Sequence, residues 1–145
     1  MAKLNVERGL LAGAVGTAAM TVLMLGAPLM GMPKMLIGEM LGNFLHIGSA
    51  AGWAMHVAIG LGLAVIYAAW FTARLPGGPA FSGAAYGFGV FLLAQVVVTP
   101  MMGGGVFSGV NIPTIAGSLM GHLVYGALVG LIYGPGTLRA QDSHA

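Results

Sequence analysis

Two histidines stand inside long apolar stretches of this sequence, and their surroundings repeat. His56 is followed by Gly60 and Tyr67, and His122 is followed by Gly126 and Tyr133 at the same offsets. Imidazole can ligate a metal, hydrogen-bond in either direction, or carry a proton. An ionisable side chain at membrane depth marks a functional site by default. The residues leave four chemistries open.

The simplest is packing: both imidazoles are neutral and bond across helices to Gln95, Thr99 or backbone carbonyls, with no cofactor. The second is a b-type haem, since two imidazoles on different helices can hold one iron axially. Gly60, Gly126, Gly52 and Gly121 carry no side chain to obstruct a macrocycle beside them. One such histidine pair allows one haem and no chain of haems across a bilayer. The third is Cu(I), which suits thioether and imidazole ligands. Met30, Met32, Met35, Met40, Met55, Met101, Met102 and Met120 cluster towards one side in the sequence, and Met55 and Met120 lie next to or near the histidines. His46 would be a third imidazole. Neighbours on a helix point about 100° apart, so Met55 does not share the face of His56. Methionine is also an ordinary apolar filler. A small proton-linked transporter or channel is the fourth. Gln95, Thr99, Asn111 and Glu39 are the polar groups able to support any of these sites. Glu39 is the only acid between Glu7 and Asp142, and a solvated position near Lys34 is its simpler reading.

The elements that must place these residues are membrane spans. The chain has 145 residues, 58% hydrophobic and 6% charged, with a mean hydropathy of +0.94. Soluble domains carry about 25% charged residues, and a spanning helix needs roughly 20 apolar ones. Four stretches qualify: Gly9–Met30, Gly48–Phe71, Pro79–Met102 and Thr114–Tyr133. The expected architecture is all-α, a single polytopic domain of four transmembrane helices in a compact bundle. The first span is too long and too rich in Gly and Thr for a simple signal peptide and is read as retained.

Between the first two spans, residues 34–46 are too short to cross. Met35, Leu36, Met40, Leu41, Phe44 and Leu45 fall at helical spacings, opposite a strip of Glu39, Asn43 and His46. This predicts a short amphipathic helix in the outer interface, or a lid folded over the bundle mouth. Pro135-Gly136 closes the last span, and the polar tail from Gln141 is expected to fray.

An internal repeat with an offset of 66 relates Gly52–Gly60 to Ser118–Gly126 and Ile66-Tyr67 to Ile132-Tyr133, while Gly9 and Gly13 have counterparts in Gly83 and Gly87. Two parallel helix-pair repeats follow, related by an axis along the membrane normal. Small residues spaced by four permit close helix contact, since lipid supplies no hydrophobic drive between helices.

Lys3, Arg8, Arg74 and Arg139 fall on one side of the spans and Lys34 on the other. This favours both termini in the cytoplasm of a bacterial-type inner membrane. With no cysteine, thiolate metal sites and disulfides are excluded. No basic cluster suggests nucleic acid. No phosphate-binding loop precedes a helix, and no serine has an acid–histidine arrangement around it. The expected function is a small non-hydrolytic subunit of a redox or respiratory-type membrane complex. Its partners would be the lipid bilayer and either further copies of itself or larger membrane subunits.

Overall fold

The computed structural model describes residues 4–142, with side chains described through Gly134. Lys3 and Ser143–Ala145 lie outside the described residues, as does the side chain of Arg139. Five helices carry the fold: α1 (Val6–Gly26), α2 (Ile37–Phe44), α3 (Ser49–Ile66), α4 (Pro79–Leu93) and α5 (Ile112–Asp142). α1 runs on through a 3₁₀ turn, and α3 and α4 through π-helical turns. The four apolar spans are Val6–Met30, Ser49–Phe71, Pro79–Met101 and Ile112–Gly134. The chain is an all-α polytopic membrane bundle, and its spans fall within three residues of the stretches read from the sequence. The helical backbone of the last span continues past Pro135 to Asp142; only its apolar portion ends there.

α1 packs on α3 and α5, and α5 packs on α4. α3 and α5 are therefore diagonal. The two helix pairs close through corresponding glycines. A Cβ on Gly13 would lie 3.0 Å from Leu61 Cα, against the Gly60 carbonyl, and one on Gly87 would lie 3.1 Å from Gly126 Cα. Backbones meet where side chains are missing, which is how membrane helices gain packing energy without a hydrophobic drive. At the end bearing the N-terminus, Asn5 caps α1 by accepting from the Arg8 N–H at 2.9 Å. The Arg8 side chain donates to the Ile132 carbonyl at 2.6 Å.

The two seams that would be equivalent under a twofold axis differ. α1 and α5 are tightly joined, with Gly16 against Tyr125 and Val129. The hydrogen bonds between α3 and α4 lie towards the terminal end: Tyr67 Oη to Ser82 Oγ at 3.0 Å, and Tyr86 Oη donating to the Leu63 carbonyl at 2.8 Å. Beyond them the two helices part, leaving a cavity.

α2 folds back over this cavity rather than lying apart in the interface. Gly38 sits under the Trp53 ring, and Gly52 admits the Gly38 carbonyl and the Gly42 backbone. The turn joining α2 to α3 uses left-handed backbone at His46 (φ 56°) and Gly48 (φ 80°). Histidine is among the few side-chain-bearing residue types enriched there. Glu39, Asn43 and His46 form the exposed strip expected of them.

Candidate functional site

The cavity has a volume of about 270 Å³ and extends from Gly60 and Tyr125, near mid-bundle, to Ile37, Met40 and Leu41 of α2. Its walls come from all four spans, and both His56 and His122 line it. Ligand pockets in proteins start at roughly 300 Å³, so the space suits one small molecule or the head of a larger one. The floor is closed where Tyr125 Oη donates to the Gly60 carbonyl at 2.6 Å, across the diagonal. The side is open. Ile59, Leu93 and Val98 line the cavity yet are 45%, 53% and 38% exposed. They flank the gap between α3 and α4, which faces lipid.

Each imidazole is held by one hydrogen bond, His122 to the backbone of its own helix and His56 to a side chain of α1. His122 Nδ1 lies 2.7 Å from the Ser118 carbonyl, one turn earlier on α5. A carbonyl only accepts, so Nδ1–H is the donor. His56 Nε2 lies 3.1 Å from Thr21 Oγ1 of α1. The Thr21 hydroxyl donates to the Thr17 carbonyl at 2.7 Å, so its oxygen accepts from the His56 Nε2–H. Aromatic edges steady both rings: Trp53 stands 5.9 Å from His56 and Phe91 stands 6.0 Å from His122, centroid to centroid.

Gln95 is the other polar anchor, 3% exposed. It lies on the π-helical turn Ala94–Val98 of α4. Pro100 follows; it lacks an N–H and its ring crowds the carbonyl four residues back, a conflict that a widened turn relieves. Gln95 Nε2 donates to Ser118 Oγ at 3.0 Å, and its Oε1 accepts from Ser108 Oγ at 2.9 Å. This chain ties α4 and α5 to the connection between them. There, Phe107, Ser108, Gly109 and Val110 form a left-handed turn, with φ of 48°, 53°, 63° and 64°. Each residue bearing a Cβ costs about 1–2 kcal/mol in that conformation. The Ser108–Gln95 bond and the Phe107 ring, 6.3 Å from Phe91, offset part of that strain.

Of the residues singled out by sequence, His56, His122, Gly60, Gln95 and Thr99 meet at the cavity, together with Met35, Met40 and Met102 of the methionine set. The others lie elsewhere. Asn111 is exposed and caps α5, its Oδ1 accepting from the Thr114 N–H at 3.0 Å and hydroxyl at 2.7 Å. Glu39 and His46 face away on α2 and its turn, Met55 is 38% exposed, and Met120 is half-buried off the cavity wall. Gly126 serves the contact with α4, where it meets the backbone of Gly83 and Gly87. The space beside Gly60 is taken up by Thr17, and that beside Gly52 by α2. Among the described residues, no group of three or more His, Cys, Asp or Glu is placed to hold a metal.

Sequence reasoning missed the first span's share of the site. Thr17, Met20 and Met24 line the cavity, and Thr21 fixes His56. They recur at i, i+3, i+4 and i+7, the spacing of one helix face, which was the available signal. Ser118, one turn before His122, was legible in the same way.

The Thr17 hydroxyl is buried without a hydrogen-bond partner. An unmet buried hydroxyl costs about 1–3 kcal/mol, and valine nearly copies threonine's shape. Thr17→Val is expected to raise stability by about 1 kcal/mol in a detergent unfolding titration. A loss of that size would mean that the hydroxyl has a partner in the membrane.

Four spans around a lipid-accessible cavity define a polytopic membrane protein with room for a bound molecule. Over residues 4–144 the chain matches the family of unknown function DUF6789, and it belongs to that family. No curated protein and no solved structure matches it.

Proposed function

We propose that this chain is a non-hydrolytic binding subunit of a membrane assembly of the redox type. Its cavity takes a small, mostly apolar molecule from the bilayer and holds the polar end of that molecule between His56 and His122. One observation carries this reading: the two imidazoles, on diagonal spans, line the same cavity, and that cavity opens between α3 and α4 towards lipid. Few polar groups in an apolar concave wall is the usual composition of a small-molecule site.

A b-type haem on the same histidines fits the residues poorly as they are placed. His56 Nε2 would have to leave Thr21. The hollows at Gly60, Gly126 and Gly52 hold neighbouring protein, and Gly121 packs against Met20 and Met24. A carrier or channel would require the Tyr125–Gly60 bond at the floor to open.

Cu(I) is favoured by one separate observation. Met32 Sδ and Met35 Sδ lie 3.1 and 3.8 Å from where a Cβ on Gly117 would sit, and Met20 and Met24 flank Gly121. Four methionine side chains thus gather on the α5 face just before and beside His122, and thioethers are soft ligands without charge. The same side chains also serve as a pliable apolar wall.

The test is extraction. Protein purified gently from its native membrane is compared with an Ala94→Phe variant, in which an added ring fills the cavity. Organic extraction with mass spectrometry, an oxidised and reduced absorbance spectrum, and metal content are read on the same samples. The expected result is one apolar molecule per chain, lost in Ala94→Phe. A stoichiometric Soret band would replace this reading with haem, and stoichiometric copper would replace it with the thioether site. Equal extracts from both proteins would remove it altogether.

A further inference from the structure

The hydrogen bonds that hold the two histidines also determine what their free nitrogens offer. An uncharged imidazole has one N–H. In His122 that proton is on Nδ1, committed to the Ser118 carbonyl. In His56 it is on Nε2, committed to Thr21, whose own proton goes to the Thr17 carbonyl. His122 Nε2 and His56 Nδ1 are left as bare acceptors, and among the described residues no hydrogen bond engages either. Gln95 is anchored at both ends, one N–H on Ser118 and its oxygen on Ser108, and neither bond involves an imidazole. The two imidazoles that line the cavity therefore carry two free lone pairs and no spare N–H. Acceptors left unmet beside an apolar membrane cavity are costly, and the group that meets them must donate.

We infer that the molecule held here is a neutral, lipid-soluble compound whose head carries hydroxyl donors, with an alkyl hydroquinone as the class that fits. This rests on the binding role proposed above and specifies its ligand. A hydroquinone ring carries two hydroxyls on opposite edges, able to face acceptors on diagonal helices. Its faces suit the apolar walls of Leu63, Val90 and Ala94, and its alkyl chain leaves through the gap between α3 and α4. An oxidised quinone and an ester lipid carry no donor for the two imidazole lone pairs and are disfavoured between them. An anion would meet two lone pairs and no cationic side chain on the cavity wall.

The experiment uses the full chain in lipid nanodiscs and three radiolabelled probes: 2-decyl-1,4-hydroquinone, its dimethyl ether, and 2-decyl-1,4-benzoquinone. Retention is measured against empty nanodiscs under reducing conditions for the hydroquinone. The hydroquinone is expected to bind at least about tenfold more tightly than either analogue. His122→Leu and His56→Leu are each expected to reduce it to the level of the ether. The ligand comparison within the unaltered protein needs no variant, so a misfolded mutant does not decide the outcome. If ether and hydroquinone bind equally and both are lost in Ala94→Phe, the donor requirement is overturned and the cavity's binding role stands. If the benzoquinone binds best, the assigned tautomers are wrong and the inference falls. If no probe exceeds empty nanodiscs and Ala94→Phe changes nothing in the native extract, both readings fall together.

Discussion

Gly126→Ala is expected to destabilise the bundle by about 2–3 kcal/mol, more than its single methyl group suggests. The added Cβ would overlap the Gly83 carbonyl oxygen and lie 2.8 Å from Gly87 Cα. Both obstacles are backbone, so no side-chain rotation relieves them. α4 and α5 must separate along a seam that also contains Gly83 and Gly130, whose own methyls would meet the Gly126 and Pro79 carbonyls. The loss is amplified because lipid does not press separated helices back together. Gly62→Ala and Gly89→Ala supply the control, since nothing lies within 4 Å of a Cβ at either position. They should be neutral or slightly stabilising, as alanine favours a helix by up to about 1 kcal/mol over glycine. Unfolding titrations in mixed detergent micelles measure all three. Equal stabilities would mean that α4 and α5 do not pack by backbone contact.

Gly52→Val is expected to release α2 from the cavity while leaving the four spans assembled. The valine would occupy the position of the Gly38 carbonyl, with Cβ 2.6 Å from the Gly42 nitrogen. α2 has eight residues, and isolated helices below about 12 residues are marginal in water. Undocking therefore also melts it. The chain has no cysteine, so a single reporter is clean: Leu41→Cys, at a position that lines the cavity and is 7% exposed. Its reaction with a soluble maleimide should speed up at least about tenfold when Gly52→Val is added, the factor that corresponds to about 1.4 kcal/mol of lost docking. Unchanged labelling would show that α2 is held by contacts other than this glycine seam. Bound ligand in the cavity should slow labelling in the parent protein.

The sequence went furthest where a property is local. Twenty or so apolar residues in a row can satisfy their own backbone only as a helix in lipid, and such runs are read without knowing their neighbours. The amphipathic pattern of residues 34–46 likewise marked a helix with Glu39, Asn43 and His46 outward. The same reading gave too much weight to polar residues near the histidines in sequence. Asn111 is a helix cap, because its side chain reaches the Thr114 N–H three residues on. His46 serves a turn. Met55 points to lipid because it is one position, and so about 100°, away from His56.

Composition and periodicity alone determined that this is an all-α membrane protein of four spans, with two matched histidines at depth and a short helix between the first pair. Tertiary structure decided which spans touch, and from that everything specific to the site. It placed α3 and α5 on a diagonal, opened the seam between α3 and α4, and folded α2 into a lid. It also gave His56 a partner on α1 and gathered Met20, Met24, Met32 and Met35 onto one face of α5. The reason is physical. A run of apolar residues carries its own instruction to form a helix, but the partner of a buried imidazole or thioether comes from another segment. Which segment arrives depends on the rotation and order of helices, set by where glycine lets two backbones approach.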